Sequence, residues 1–359
     1  MKKKPLSSYI EMLRMMMAIF ISLLIVFMII LLISNEPLSA LKDFVFGPLT
    51  SVRRFGNVIE GMTPLMFTGL AVIILFKPGL YNLSMEGAFF MGMVASCAVS
   101  LSIGAPGKMT LILAVAAGAL VGAVVCFIPG VLKVKAHANE LVTSLMMNYI
   151  CLFLGLFIIN QYFYDPSQNS SYSYKFPEGC VLDRIVAGTR INQGTIIAIV
   201  TVIVIWLLVN KTSFGLKANL VGENSNMADY CGIDSGTTII FTQIVGGLLA
   251  GLGGSVHLFG MFERFQYSAL PGYGWDGVLI AIVARRKPQF VPFAALFLSY
   301  LRIGADIMSR NSDIPFEIVN IIQAVMVLLI SATAILGGLK KRLIIKETYE
   351  LEAAKEGGR

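Results

Sequence analysis

Two acidic residues stand at similar places in two short stretches of the sequence. Glu86 follows a Pro-Gly pair at 78–79, and Asp276 follows a Pro-Gly pair at 271–272; each acid precedes a glycine and an apolar run. A Pro-Gly pair breaks a helix, and an acid in the first turn of the next helix faces its positive end. Irregular backbone at membrane depth is tolerated where it lies within protein or lines a cavity. The pattern indicates a pathway for a polar solute, or else a plain helix cap at the membrane surface.

Further polar and aromatic side chains flank these two acids or lie on an apolar run that begins near residue 139. Amide groups hydrogen-bond a polar solute, and aromatic rings stack on one. The alternative is that the amides serve helix packing and that Asn139 is an N-cap. The predicted pathway residues are Tyr81, Asn82, Glu86, Asn139, Asn148, Trp275 and Asp276.

The same two stretches predict an internal repeat. If helices are counted from a cytoplasmic N-terminus, the helix after Glu86 runs outward and the helix after Asp276 runs inward. Inverted repeats with broken helices are a known transporter architecture, with the pathway at the repeat interface. Because the chain contains 34 glycines, a chance similarity of two short stretches is the alternative.

The other reactive side chains predict no covalent chemistry. Arg302 and Asp306 are four residues apart on an apolar run, and we expect them to form a structural ion pair. The five cysteines include no C-x-x-C pair, and there are only two histidines. Neither a metal site nor a redox dithiol is predicted, and no residue is predicted to be catalytic.

The composition excludes most soluble proteins. Only 14% of the 359 residues are charged and 56% are hydrophobic, whereas a soluble domain has about 25% charged residues. The mean hydropathy of +0.78 is typical of a chain that lies in lipid. A soluble enzyme, a disordered protein and a nucleic-acid-binding domain are therefore excluded, although the pI is about 9.1. We expect an all-α integral membrane protein.

Apolar runs predict about ten transmembrane helices, because about 20 apolar residues cross the hydrocarbon core. One run, Gly277–Ala284, needs the preceding 265–275 segment to complete that depth. The first run follows a Lys-rich start but lacks a cleavage site, so we expect a retained anchor. The other runs are Met15–Ile33, Gly61–Phe76, Gly87–Gly107, Met109–Leu132, Leu141–Tyr164, Ile191–Asn210, Ser235–Phe262, Gln289–Arg310 and Ile318–Leu339.

The distribution of Lys and Arg predicts the orientation of these helices, because basic residues collect in cytoplasmic connections. A cytoplasmic N-terminus puts 18 of the 28 basic residues inside and makes both termini cytoplasmic. We expect a multi-pass protein of a bacterial plasma membrane, whose basic residues also attract anionic lipid. The inside residues are Lys2, Lys3, Lys4, Arg14, Lys77, Lys133, Lys135, Lys211, Lys217, Arg285, Arg286, Lys287, Lys340, Lys341, Arg342, Lys346, Lys355 and Arg359.

The long cytoplasmic connection at 211–234 predicts a short displayed helix. Residues 224–225 offer an N-cap and Gly232 offers a helix end. Such a helix either fills a groove of a partner protein or lies on the membrane surface. Its apolar face, at spacings i, i+3 and i+4, comprises Met227, Tyr230 and Cys231.

Four groups of residues share one known pattern: Gly79-Leu80-Tyr81-Asn82 with Glu86-Gly87, Asn139-Glu140 with Asn148-Tyr149-Ile150, the 211–233 connection, and Gly304-Ala305 with Ile314-Pro315 and Ile322-Gln323-Ala324. Over roughly residues 60–335, the chain resembles the permease subunit of ABC importers of the ribose and branched-chain amino acid superfamily. The branch it resembles comprises nucleoside and simple-sugar importers served by a basic-membrane-protein-type lipoprotein. In that branch, a glutamine commonly stands at the position of Ala88 in this chain. A Gly-Ala pair commonly stands there at the position of Ser84-Met85. A different solute preference follows if that glutamine contacts the solute.

The resemblance implies a permease subunit of an ATP-driven importer, which forms the pathway for a small polar solute, with a nucleoside expected. Two permease chains, related or identical, would meet two ATP-binding cassette ATPase subunits, and an extracytoplasmic lipoprotein would deliver the solute. This chain would be non-catalytic and bind no cofactor, while ATP-Mg would bind the ATPase; no nucleic acid is implied. The 211–233 connection would couple the ATPase to the pathway through Gly222, Glu223, Asn224, Met227 and Tyr230.

The expected organisation is one membrane unit. Residues 1–14 are a cytoplasmic N-terminus, 15–339 a single transmembrane permease domain with the coupling loop 211–234, and 340–359 a cytoplasmic tail. No G-x-x-x-x-G-K-[ST] motif occurs, so ATP would bind another chain. The rival interpretation is an ion- or proton-coupled secondary transporter, in which Glu86 and Asp276 are coupling groups and no ATPase is needed.

Overall fold

A computed structural model describes residues 36–167 and 172–312, together with positions 24, 27, 28 and 31. The predicted span Met15–Ile33 is described only at those four positions. The predicted span Ile318–Leu339, the termini at 1–14 and 340–359, and the family-like residues at 314–324 lie outside the described residues.

The described residues form α-helices joined by short connections. A 3-10 turn at Gly47–Leu49 follows α1, a π-helix at Ile159–Phe163 continues α5, and a 3-10 turn at Pro288–Phe290 precedes α11. The helices are α1 Pro37–Phe46, α2 Val52–Leu75, α3 Met85–Ile103, α4 Lys108–Ala136, α5 Glu140–Ile158, α6 Gln193–Lys211, α7 Ser213–Glu223, α8 Ser225–Tyr230, α9 Ser235–Met261, α10 Tyr273–Val283 and α11 Val291–Asn311.

Seven helical segments in the described chain are long and apolar enough to cross a membrane. They are α2 to α6, α9, and Pro288–Asn311, which contains α11; α10 is a shorter apolar helix. These eight elements match the eight spans predicted between residues 61 and 310, so the all-α membrane class is confirmed. The start of α2 differs from the predicted Gly61. It lies at Val52 because the Ser51 hydroxyl caps the helix, accepting a hydrogen bond from the Arg54 N–H at 3.2 Å.

The chain divides into two compact units. One comprises residues 49–303 and contains α2 to α10 with most of α11. In the other, which includes residues up to 48 and those from 304 onward, the end of α1 packs on the end of α11. There a Cβ on Gly304 would approach the Phe44 carbonyl carbon to 3.4 Å.

Polar side chains fix where several helices begin. Asn139 accepts a hydrogen bond from the Leu141 N–H at 3.0 Å, which confirms it as the N-cap of α5. Asn192 caps α6 in the same way. Asp234 caps α9, accepting from the Thr237 N–H at 2.9 Å. The hydrogen bonds that Thr237 donates lower the pKa of the Asp234 carboxyl, so this cap is charged at neutral pH.

The core of the 49–303 unit contains a contact between α4 and α9 that only glycine permits. Gly118 and Gly122 lie one turn apart on α4, and Gly247 and Gly251 lie one turn apart on α9. A Cβ on Gly122 would lie 2.6 Å from the Gly251 Cα atom. Small residues at this spacing let two membrane helices approach backbone to backbone, which holds α4 against α9.

The connections of this unit gather at two opposite ends. At the 163–192 end, the Ser173 N–H donates to the Phe265 carbonyl at 3.0 Å, and Lys108 pairs with Asp183 at 2.7 Å. The other end, named here the 212–234 end, contains α7, α8 and the 76–84 segment. The 76–84 segment, which is the first of two helix breaks, opens from this end.

Candidate solute pathway and coupling surface

The first helix break is the 76–84 segment, which joins α2 to α3. Asn82 is buried in it, and its amide Nδ2 donates to the Gln243 Oε1 atom on α9 at 2.8 Å. The Asn82 Oδ1 atom accepts from the Ser84 N–H at 2.9 Å and from the Ser84 hydroxyl at 2.6 Å. Asn82 thus holds the irregular segment to α9 and shapes the start of α3.

A second amide holds the same helix start from the side of α5. The buried Asn148 Oδ1 atom accepts from the Gly87 N–H at 2.8 Å, and its Nδ2 donates to the Leu83 carbonyl at 3.0 Å. A Cβ on Gly87 would lie 3.1 Å from the Asn148 Cα atom. Asn148 therefore satisfies one backbone donor and one backbone acceptor of the break.

Glu86 joins the start of α3 to the start of α10. Its buried carboxylate accepts from the Gly272 N–H at 2.6 Å and from the Gly274 N–H. A Cβ on Gly274 would lie 2.6 Å from Glu86 Oε2, so only glycine admits the carboxylate at this position. The first turn of a helix leaves N–H groups unpaired, and Glu86 satisfies them for a helix that is distant in sequence.

Asp276 and Arg302 form a second interior polar contact. Asp276 is buried in the first turn of α10, and its carboxylate lies 2.5 Å from Arg302 Nη2 on α11. Asp306 pairs with Arg310 at 3.1 Å. The predicted Arg302–Asp306 pair is therefore wrong, because Arg302 reaches a deeper acid on another helix.

The second helix break is the 262–272 segment, which joins α9 to α10. The packing around the two breaks supports the predicted inverted repeat. The helix before each break packs on the helix that follows the other break, so α2 contacts α10 and α9 contacts α3. Glycine makes both contacts close. A Cβ on Gly277 of α10 would lie 2.7 Å from the Thr68 carbonyl carbon of α2, and a Cβ on Gly254 of α9 would lie 3.0 Å from the Phe89 carbonyl carbon of α3.

The remaining predicted pathway residues lie at the surface of the chain. Tyr81 is 49% exposed and packs edge-on against Phe76. Trp275 is 45% exposed at the start of α10, and Asn139 is exposed at the start of α5. The structure thus brings Asn82, Glu86, Asn148 and Asp276 around two buried helix starts and leaves the two aromatic rings accessible. Contact of any of the seven with solute stays a prediction.

Gln243 is the polar residue at this site that the sequence analysis missed. It is fully buried on α9 and, besides binding Asn82, its Nε2 donates to the Leu75 carbonyl at 3.3 Å. It is the only residue with an amide side chain between 235 and 262. A polar group inside an apolar run usually has a buried partner, and that signal could have indicated it.

The predicted coupling connection at 211–234 contains two helices, α7 and α8, where one was expected. The Asn224 Oδ1 atom caps α8 by accepting from the Met227 N–H at 3.0 Å, and Gly232, with φ +78°, follows its end. The predicted displayed helix is therefore confirmed. α7 forms because residues 213–223 contain no proline and bury Gly215 together with the side chains of Ala218 and Val221.

The apolar face of α8 is exposed. Met227 is 65% exposed, Tyr230 is 92% exposed, and Cys231 is exposed beside them. Ala228, on the opposite face, is buried. Single exposed apolar residues need no explanation, but a contiguous displayed group indicates an interaction site. Among the other predicted coupling residues, Glu223 is exposed and Gly222 lies against the 76–84 segment.

Comparison with known proteins gives one consistent family. The family described as "Branched-chain amino acid transport system / permease component" matches residues 55–331. The guanosine ABC transporter permease NupP of Bacillus subtilis is 31% identical over 314 residues, which cover 85% of this chain and 88% of that protein. The nucleoside ABC transporter permease NupB of Lactococcus lactis is 31% identical over 332 residues, covering 89% and 91%.

A third relative is named for a different solute. The glucose ABC transporter permease TsgB13 of Haloferax volcanii is 28% identical over 303 residues, which cover 82% of this chain and 80% of that protein. The family resemblance inferred from the four residue groups is confirmed by these matches. The chain belongs to the family of permease components of branched-chain amino acid transport systems.

Proposed function

We propose that this chain is the permease subunit of an ATP-driven importer of nucleosides. The observation that carries the ATP-driven part is the exposed Met227–Tyr230 face of α8, which is displayed at the same end as the first helix break. An ATP-binding cassette ATPase that binds this face would bind ATP-Mg itself. This chain would bind no cofactor and would perform no covalent chemistry.

The nucleoside assignment is supported by the relatives and by two accessible rings. Both relatives at 31% identity are named for guanosine or nucleosides, whereas the glucose permease is less similar. Tyr81 and Trp275 are accessible aromatic groups beside the buried helix starts. Aromatic rings stack on nucleobases without requiring a particular base, which suits a carrier of several nucleosides.

The membrane orientation and the remaining partners follow from the same proposal. Lys and Arg favour cytoplasmic connections, so we assign the 212–234 end and both termini to the cytoplasm of a bacterial cell. The 163–192 end would then face a solute-binding lipoprotein outside. A second permease chain, related or identical, would enclose the pathway against the exposed side of this one.

The secondary-transporter alternative is less well supported by the geometry. Glu86 is engaged by backbone N–H groups and Asp276 by Arg302. A coupling acid must be able to exchange its ion or proton during transport, and these two carboxylates already have strong charge-assisted partners. The displayed face of α8 would also have no role in a chain that transports alone.

The deciding experiment measures uptake of radiolabelled guanosine in cells that carry or lack the gene of the ATPase that co-purifies with the permease. Uptake should depend on the ATPase, unlabelled uridine should compete, and glucose should not. The ATPase should also co-purify with the tagged permease. Guanosine uptake that persists after deletion of the ATPase would replace this proposal with the secondary transporter, and competition by glucose alone would replace the solute.

A further inference from the structure

Two buried oxygen atoms in the first half of α2 have no hydrogen-bond partner among the described residues. They are the Oε1 atom of Glu60 and the Oδ1 atom of Asn57. Glu60 is only 6% exposed, and Asn57 lies three residues earlier, so the two side chains share one face of the helix. A buried acceptor without a partner costs free energy, because its bond to water is lost and not replaced. The two oxygens therefore indicate a ligand that donates to them.

The pair lies where α2 passes beside the 163–192 end. One turn before Glu60, a Cβ on Gly56 would lie 2.8 Å from the Thr189 Cβ atom. Glu60 is nevertheless inside the apolar part of α2, a helix long enough to cross the membrane. A solute that enters from the 163–192 end, as the proposed function requires, would reach this part of α2 first.

Glu60 also belongs to the polar region around the start of α10. Its carboxylate interacts electrostatically with Tyr273, the first residue of α10. The same phenol group interacts with Glu86 and Asp276, two of the predicted pathway residues. The two oxygens without partners therefore adjoin the candidate pathway and are not an isolated feature of α2.

The chemistry of the pair favours a neutral ligand with hydroxyl groups. An ionised carboxylate and an amide oxygen only accept hydrogen bonds, so the ligand must be a donor or a cation. The described residues contain no group of three His, Cys, Asp or Glu side chains that could hold a metal ion. Arg184 and Arg190, which interact electrostatically with Glu60, would also repel a cation.

We infer that Glu60 and Asn57 bind the ribose hydroxyl groups of the solute and thereby select ribonucleosides. The two neighbouring hydroxyl groups of ribose supply two donors for two acceptors, and an acidic side chain also accepts from ribose in dinucleotide-binding folds. Ribose is the part that guanosine shares with uridine, so this contact suits a carrier of several nucleosides. The inference rests on the proposed function, because it names the part of the nucleoside that this region recognises.

The test compares radiolabelled guanosine with radiolabelled 2′,3′-dideoxyguanosine, which has the same base and lacks both hydroxyl groups. Initial uptake rates are measured in cells that contain the complete transporter, at one subsaturating concentration. In Glu60→Gln, the ratio of the guanosine rate to the dideoxyguanosine rate should fall about tenfold, because a neutral amide replaces a charged acceptor. The lipoprotein is the same in parent and variant, so a change in this ratio reports the permease.

Two further variants complete the uptake experiment. Asn57→Ala should lower the same ratio, but by less, since a neutral acceptor binds a hydroxyl group more weakly than a charged one. Arg53→Gln also removes a charge, at an exposed position of the same helix, and should keep the parental ratio. An equal loss of both solutes in Glu60→Gln would overturn the inference, because the role would then be structural or directed at the base. Parental ratios in both Glu60→Gln and Asn57→Ala would overturn it as well.

Thermal unfolding of the purified permease–ATPase complex gives a second readout that does not involve the lipoprotein. Without solute, Glu60→Gln should unfold at the parental temperature or above, because the buried Oε1 atom has no hydrogen bond to lose. A ligand that binds the folded state stabilises it, so guanosine should stabilise the parent more than dideoxyguanosine does. Glu60→Gln should remove that difference.

Two results of the unfolding experiment would overturn the inference. One is a lower unfolding temperature of solute-free Glu60→Gln, which would make the carboxylate a structural group. The other is equal stabilisation of the parent by the two nucleosides. Failure of the proposed function looks different, since the parent would then take up no guanosine or take it up without an ATPase.

Discussion

The Glu86 carboxylate is bound where α3 and α10 begin, and its partners are backbone N–H groups of α10. Hydrogen bonds from N–H groups to a charged acceptor contribute about 1.5–3 kcal/mol each to stability. Asn82 and Asn148 act in the same region by satisfying backbone groups of the 76–84 segment. Of the polar residues predicted to line a pathway, Asn82, Glu86 and Asn148 thus hold buried helix starts in place.

Glu86→Gln is expected to lower both thermal stability and uptake. The amide keeps the shape of the side chain but offers one acceptor oxygen, so one N–H of α10 loses its partner at a cost of about 1–3 kcal/mol. Thermal unfolding of the purified complex and guanosine uptake are the measurements. Glu178→Gln, at an exposed position of the 163–192 end, should match the parent. Parental stability and uptake in Glu86→Gln would show that the carboxylate contributes nothing here.

The helices α7 and α8 form the element that would face the ATPase under the proposed function. The face of α8 presents two large side chains, Met227 and Tyr230, to solvent. Burying each against a partner contributes about 1.5–3 kcal/mol, which is more than an exposed charge pair, at about 0–1 kcal/mol, provides. The affinity for an ATPase should therefore depend on these two residues rather than on the surrounding charges.

Replacing Met227 and Tyr230 together by Asp should detach the ATPase or abolish stimulated ATP hydrolysis. Loss of even one such contact weakens binding by about 10- to 100-fold. Membrane insertion should be unchanged, because α8 lies outside every apolar span. Lys217→Ala, an exposed change on α7, should have a much smaller effect. Co-purification at the parental level in the double variant would remove α8 from the coupling surface.

A second element-scale prediction concerns the glycine contact of α4 and α9. Gly251→Leu should prevent these helices from approaching, because even a Cβ there would lie 2.9 Å from the Gly122 Cα atom. Overpacking of this kind costs about 3 kcal/mol or more. The yield of monodisperse protein after size-exclusion chromatography measures the effect. Ala116→Leu introduces the same side chain at an exposed position of α4 and should behave as the parent does; equal yields would contradict the packing.

At the scale of the whole molecule, the connections gather at two ends, and labelling of a native cysteine can test on which side of the membrane each end lies. Of the five cysteines, four are buried and Cys231 is exposed. It lies at the 212–234 end, which we assign to the cytoplasm. The side chain of Lys175, at the 163–192 end, is 65% exposed and offers a reporter for the opposite face.

A membrane-impermeant maleimide should label Cys231 in inside-out vesicles and not in intact cells. Lys175→Cys combined with Cys231→Ser should label in intact cells. The physical reason is that one apolar span, α6, lies between residues 175 and 231 in the chain. Labelling of both cysteines from the same side would overturn the arrangement, and the reverse pattern would invert the assigned orientation.

The sequence alone determined the properties that depend on one segment at a time. Membrane location and the eight described spans follow from apolar runs that must cross a fixed thickness of lipid. The Asn139 and Asn224 caps and the displayed α8 follow from side chains that bind backbone within three residues. The family followed from short ordered motifs and was confirmed by the match over residues 55–331.

The tertiary structure decided the contacts between residues that are distant in the chain. Sequence patterns indicated that Glu86 and Asp276 belong to similar breaks, but the partners Gly274 and Arg302 became visible only when α3, α10 and α11 were packed together. The Arg302–Asp306 pair was mispredicted because helical spacing reports neighbours on one helix and carries no information about an acid on another. The contact of Gly222 with Lys77 was likewise not predictable, since a glycine permits a close backbone approach but does not indicate which connection is folded against it.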